Sequence, residues 1–221
     1  YHAGMVAKYA IEKWAKIPVD VEIASEFRYR DPIIDPSTLI IAISQSGETM
    51  DTLMAVRHAK AAGGRVLAIC NTNSSTIPRE SDAVLYTHAG PEIAVASTKA
   101  LLTQIIAVYL IGLHLGQVNG SLKDSEVRDL YKELLELPGK IEQILETVEP
   151  LRELTRTFAH NNTVLFLGRN IGYPVALEGA LKLKELAYIH AEGFAGGELK
   201  HGPIALIDQG TPVIAILPAG H

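Results

Sequence analysis

Residues 38–70 read TLIIAISQSGETMDTLMAVRHAKAAGGRVLAIC, and three textures follow one another within them. "TLIIAIS" (38–44) and "RVLAIC" (65–70) are short, unbroken aliphatic runs, while "MDTLMAVRHAKAAGG" between them is an amphipathic helix pattern closed by glycines. Unbroken rather than alternating apolar character predicts strands covered on both faces, as in a parallel sheet. The stretch therefore reads as one β-α-β unit, with the polar turn "SQSGET" at the carboxyl end of its first strand.

The same alternation extends in both directions. Further strands are expected at "VDVEI" (19–23), "AVLYT" (83–87), "TVLFLG" (163–168) and "PVIAIL" (212–217). Helices are expected over 3–16, 49–62, 97–116 and 172–188. The class is α/β, a doubly wound αβα sandwich with a mainly parallel sheet. Residues 121–160 differ: they are charged and helix-periodic, interrupted by Pro138 and Pro150, and lack any strand signal. They read as a helical connector between two α/β units.

The two units are related. An offset of 170 lays "YAIEKWAKIPVDVE" from Tyr9 on "GALKLKELAYIHAE" from Gly179, pairing a helix and the short strand after it, with Glu22 on Glu192. Two extra residues then bring "SEFRY" (25–29) onto "GELKH" (197–201), and one more brings "TLIIAISQSGE" (38–48) onto "TPVIAILPAGH" (211–221). Pattern, order and element length agree, as an internal duplication requires. The expected division is a first domain at 1–120, its first strand missing, the connector at 121–160, and the N-terminal part of a second, incomplete domain at 161–221. On this alignment the chain reads as truncated at both ends.

Composition excludes several classes. The 221 residues are 48% hydrophobic, enough for a packed core, and the net charge of −5 argues against a general nucleic-acid binder. Lys and Arg are scattered, so neither a basic stripe nor a membrane-surface helix is present. The most apolar run, "IIAVYLIGLHLG" (105–116), is too short to span a bilayer. Cys70, the only cysteine, is read as a buried strand residue, and one cysteine permits no internal disulfide and no Cys-rich metal site. The expectation is a soluble cytoplasmic protein without a signal peptide.

A strand-to-helix turn in an open α/β sheet is where ligands bind, and the helix N-terminus there offers unpaired N–H groups and partial positive charge. Ser44, Ser46 and Thr49 add hydroxyls and Gly47 lets the backbone approach closely, so the turn reads as a phosphate site. The competing reading is an ordinary N-cap formed by Ser46 or Thr49, completed by Glu48. Ser97 and Thr98 begin the apolar helix at 99–116. Ser97 alone reads as its N-cap, with backbone at Val95 and Ala96 placed to line the same pocket. "CNTNSSTIPRES" (70–81) reads as a plain loop.

The second copy lacks the hydroxyls: Leu217, Pro218 and Ala219 stand where Ser44, Gln45 and Ser46 do. Titratable groups appear there instead, with Glu185 on Ala15, His201 on Tyr29, Lys200 on Arg28 and Lys182 on Glu12. Glu178, Lys182 and Glu185 are spaced i, i+4, i+7 and share one helix face. That face is either a solvated salt-bridge stripe or acid–base machinery, and His201 either a plain loop histidine or a proton-transfer group.

The motifs "SQSGETMDTL", "EIAVASTKA", "FLGRN", "ALEGALKLKELAYIHAE" and "GELKHGP" closely resemble the isomerase part of the glutamine–fructose-6-phosphate aminotransferase family. The resemblance implies tandem sugar-isomerase (SIS) domains and formation of glucosamine 6-phosphate from fructose 6-phosphate, the first step toward amino sugars and cell-wall precursors. A separate glutaminase domain would release the ammonia. It further implies that Ser44, Gln45, Ser46 and Thr49 hold the sugar phosphate, with Val95 and Ser97 in the same pocket. Glu185 would move the proton between C1 and C2, Lys182 and Glu178 would position substrate and stabilise charge, and Arg169 is a weaker participant. His201 would open the sugar ring from the neighbouring subunit of a homodimer. Fructose 6-phosphate, glucosamine 6-phosphate and glucose 6-phosphate are the implied ligands; no metal or organic cofactor is implied. The family's Cys-Gly-(Thr/Ser)-Ser turn, its C-terminal lysine and its glutaminase cysteine do not occur in the sequence. Two alternatives remain: a SIS-type sugar-phosphate sensor, which has no use for Glu185 and His201, and another phosphosugar isomerase or deaminase.

Overall fold

The computed structural model describes residues 1–218, and Ala219, the counterpart of Ser46, lies with residues 220 and 221 outside them. The chain divides into two compact units, the first running to Val118 and the second from Asn119.

In the first unit, α1 (His2–Ala15) and a single turn α2 (Ala24–Phe27) precede β1 (Leu39–Ser44), α3 (Met50–Ala61), β2 (Arg65–Cys70), α4 (Thr76–Glu80), β3 (Ala83–Tyr86) and α5 (Lys99–Val118). The sheet has the order β1-β2-β3 and is parallel throughout, with Ile41 beside Leu67 and Ser44 beside Cys70. Because successive side chains on a strand point to opposite faces, each strand feeds two cores. Ala42, Val66, Ala68 and Cys70 pack with Leu53, Val56 and Ala59 of α3 and Ile77 of α4. On the other face Ile69 packs with Ala7 and Ile11 of α1 and Ala107, Val108 and Ile111 of α5. This two-sided burial is why the strands read as unbroken aliphatic runs. At 20 residues α5 is long and apolar enough to cross a membrane by length and composition, longer than the run at 105–116 indicated. Its Ala107, Val108 and Ile111 are nonetheless spent on this core.

The expected strand at 19–23 does not form; residues 16–23 are irregular up to α2. Its counterpart in the second unit does form, as β5 (His190–Ala195), and pairs in parallel with β4 (Thr163–Gly168). A strand needs a neighbour for its backbone N–H and C=O groups. Among the described residues no strand pairs with 19–23.

The second unit begins with three helices, α6 (Asp124–Leu135), α7 (Leu137–Leu145) and α8 (Glu149–Thr157), then β4, α9 (Gly172–Ala187), β5 and β6 (Val213–Ile216). Pro138 and Pro150 start helices rather than break them. Each lies in a first turn, where a missing N–H costs nothing. The sheet order is β5-β4-β6, again parallel. Val164, Phe166, Ala176, Ala180 and Ala191 form its core.

Backbone geometry sharpens the duplication. α1 and α9 both close on a left-handed residue, Lys16 at φ 55° and Tyr188 at φ 56°. The helices start 170 residues apart and close 172 apart, so the two extra residues lie inside the longer α9. The pairing of Glu22 with Glu192 is therefore out of register, and Ala15, the last residue of α1, falls on Glu185 counted from the helix starts and on Ala187 counted from their ends.

Candidate functional site

The turn between β1 and α3 is built by its own hydroxyls. Ser44, buried at the end of β1, accepts the Gly47 N–H at 3.1 Å, and its Oγ lies 3.1 Å from Thr49 Oγ1. Ser46 Oγ accepts the Glu48 N–H at 3.2 Å. Gly47 has φ 67°, the left-handed region that disfavours a β-carbon, and a β-carbon there would lie 2.0 Å from Ser75 Oγ.

The N-cap reading does not hold. Thr49 occupies the N-cap position of α3 without a side-chain bond to the helix, and its carbonyl accepts the Leu53 N–H at 2.9 Å. Glu48 reaches away from α3 and accepts the Thr76 N–H of α4 at 2.7 Å. The Thr76 side chain first, and then this backbone bond, hold the Glu48 carboxyl below the usual carboxylate range, with Arg79 adding to the effect. Among the described residues the opening N–H groups of α3 have no side-chain cap, and their partial positive charge suits an anion. Arg28, at the end of α2, pairs with Asp51 of that first turn at 2.7 Å.

The segment 70–81 is not a plain loop. It contains α4, and three of its residues hold the turn: Asn71 N–H donates to Gln45 O at 3.0 Å, Ile77 N–H to Gly47 O at 2.9 Å, and Thr76 to Glu48. The Asn71 carboxamide also donates to Gly90 O at 2.7 Å and accepts the Ala89 N–H at 2.8 Å. Gln45, Asn71, Thr72, Asn73, His88, Gly90 and Pro91 line a polar cleft of about 390 Å³.

Ser97 is not the N-cap of α5. Glu92 takes that role, its carboxylate accepting the Thr98 N–H at 3.1 Å and the Ala100 N–H at 3.2 Å. Val95 is almost fully exposed and Ser97 half-buried. Among the described residues no hydrogen bond joins either to the Ser44–Thr49 turn. Glu92 and Asn71 escape sequence reasoning, which assigns Glu48 to the wrong helix, because a capping carboxylate or amide is recognised by where it reaches, which spacing alone does not encode.

In the second unit α9 brings three predicted residues together. Lys182 Nζ lies 3.1 Å from Glu178 Oε1 and 2.6 Å from Glu185 Oε2. Burial pulls the Lys182 pKa down, but the paired carboxylates of Glu185 and Glu178 outweigh it and raise it above the ordinary lysine value. Glu185 Oε2 is shielded from solvent, and the Lys182 contact, though within ion-pair range, is not aligned as a hydrogen bond. The cluster is not a solvated stripe: Glu178 is 13% exposed and Lys182 23%. Gly179 brings α9 against β4, since a β-carbon there would lie 2.8 Å from the Phe166 ring.

His201 lies apart from this face, in an exposed turn where its N–H donates to Glu198 O at 2.9 Å. Arg169, at the turn from β4 into α9, is exposed, and its carbonyl accepts the Gly172 N–H at 2.9 Å. Among the described residues no three His, Cys, Asp or Glu side chains group as a metal site.

A family model described as the SIS domain matches residues 1–113 and 157–221. A glutamine–fructose-6-phosphate aminotransferase (isomerizing) of Streptomyces coelicolor is 68% identical over 99% of the chain, and that of Mycobacterium tuberculosis is 64% identical over the same share. The chain spans 36% and 35% of the lengths of these relatives. The C-terminal domain of glucosamine-fructose-6-phosphate aminotransferase from Francisella tularensis superposes with a TM-score of 0.97 at 45% identity, covering all of this chain and 62% of that one.

Proposed function

Because the chain belongs to the SIS domain family, we propose that it is the isomerase part of an enzyme converting fructose 6-phosphate and glutamine to glucosamine 6-phosphate and glutamate. The α3 N-terminus, open to an anion behind a turn of three hydroxyls, carries the reading. Identity of 68% to an aminotransferase of that name supports the reaction. In this proposal the domains run 1–120 and 161–221, joined by a connector at 121–160, in a cytoplasmic homodimer that works with a glutaminase domain.

The roles are those the family resemblance implies, with charge and geometry supporting some of them. The sugar phosphate is held at the α3 N-terminus by backbone N–H groups and by Ser46 and Thr49. Ser44 chiefly maintains the shape of the turn, and Gln45, Val95 and Ser97 complete the pocket. Glu185 is the base moving a proton between C1 and C2. Lys182, held cationic by its two glutamates, stabilises the developing negative charge, and Glu178 orients Lys182. His201 opens the furanose ring from the neighbouring subunit, and Arg169 has a secondary part in binding.

A graft tests the assignment. The chain, placed in the Streptomyces relative in exchange for the matching segment, is expected to support glucosamine 6-phosphate formation. Glu185→Gln in that graft is expected to abolish the reaction while fructose 6-phosphate binding persists. Full activity of the variant refutes the base. A sensor, by contrast, binds the sugar phosphate with no dependence on Glu185 at all.

A further inference from the structure

An acidic residue inside an anion-binding turn is electrostatically out of place, and Glu48 sits between Gly47 and Thr49. Its carboxylate is not spent on the helix it precedes. It crosses to the N-terminus of α4 and accepts the Thr76 N–H at 2.7 Å. The neighbouring carbonyl of Gly47 accepts the next N–H, that of Ile77, at 2.9 Å. Ser75, buried at 4% exposure, fills the space beside Gly47 and anchors its own hydroxyl on Thr72 O at 2.8 Å. Two consecutive residues of the turn are thus fastened to two consecutive N–H groups of α4, with no room to slide.

We propose that Glu48 is a positioning residue: by clamping the turn to α4 it keeps the Ser46 and Thr49 hydroxyls and the α3 N–H groups in the arrangement that receives a sugar phosphate. The clamp also directs a negative charge toward the α4 N–H groups and Arg79 and away from the incoming anion. This rests on the phosphate reading of the turn.

Two variants remove the clamp from opposite sides. Glu48→Ala deletes the acceptor. Thr76→Pro deletes the donor, and the site suits proline because Thr76 is the first residue of α4 and Ser75 before it is extended, at φ −70° and ψ 170°. Fructose 6-phosphate binding to the 221-residue chain is measured by calorimetry, with thermal midpoints taken alongside. Each variant is expected to weaken binding about tenfold, the loss of one charge-assisted hydrogen bond. The double variant is expected to be no worse than Thr76→Pro alone, because that substitution already removes every Thr76 donor to Glu48. Glu48→Gln keeps an acceptor oxygen and is expected to stay within about threefold of wild type. Binding unchanged in Glu48→Ala and Thr76→Pro, beside a wild type weakened by Ser46→Ala with Thr49→Ala, overturns the clamp and leaves the phosphate reading standing. A wild type that does not bind fructose 6-phosphate overturns both. Additive losses in the double variant, or a Gln variant as weak as Ala, also overturn the clamp.

Discussion

Gly47→Ala concentrates the physics of the turn in one methyl group. The residue has φ 67°, where a β-carbon costs about 1–2 kcal/mol. The added carbon also lies 2.0 Å from Ser75 Oγ, 2.8 Å from Ser75 Cβ and 3.1 Å from Pro78 Cδ. Ser75 cannot swing aside freely, being buried and bonded to Thr72 O, so overpacking adds about 1–3 kcal/mol. A loss of about 3 kcal/mol lowers the thermal midpoint of a chain this size by roughly 6–12 °C. Circular dichroism melts of wild type, Gly47→Ala, Ser75→Gly and the double variant separate the two contributions. Ser75→Gly removes the two nearest clashing atoms but not the dihedral cost, so the pair should show a coupling of about 1 kcal/mol or more. A fall below about 2 °C in Gly47→Ala, or strict additivity with Ser75→Gly, refutes the reasoning.

Ile69→Ala, at a fully buried position between α1 and α5, should cost about 2–5 kcal/mol in urea unfolding. Burial pushes the Cys70 thiol up to about 11, so the native chain should resist alkylation by iodoacetamide at pH 8 and react only when denaturant opens the sheet. Glu92 is held below the usual carboxylate range, first by the Thr98 N–H and despite partial desolvation, so its folded pKa lies under its unfolded one. Its contribution is therefore complete above the unfolded carboxylate pKa and lost as pH falls through the folded one. The stability gap between wild type and Glu92→Gln should accordingly shrink on acidification, and a gap that grows as pH falls contradicts the cap.

Local periodicity settled the architecture because the strands of these parallel sheets carry an unbroken apolar imprint. "TLIIAIS", "RVLAIC", "AVLYT", "TVLFLG" and "PVIAIL" all carry it, and β1, β2, β3, β4 and β6 lie within them. "VDVEI" alternates instead and stays irregular, since strand formation needs a neighbour that composition cannot supply. The spacing of Glu178, Lys182 and Glu185 likewise determined that they share a face, because a helix converts i, i+4, i+7 into proximity. What spacing left open was whether that face is solvated, and burial of Glu178 with a shielded Glu185 oxygen decided it.

At "SQSGET" the division is clearest. Sequence alone determined a hydroxyl-rich turn between a strand and a helix, because residue type and hydrophobic period are local properties. Only the tertiary structure decided what each group does there. Ser44 turns inward, Thr49 leaves its helix uncapped, and Glu48 crosses 28 residues of chain to α4. A hydrogen bond depends on where two segments meet, and that meeting is set by the packing of β1 against β2, not by the letters of the turn.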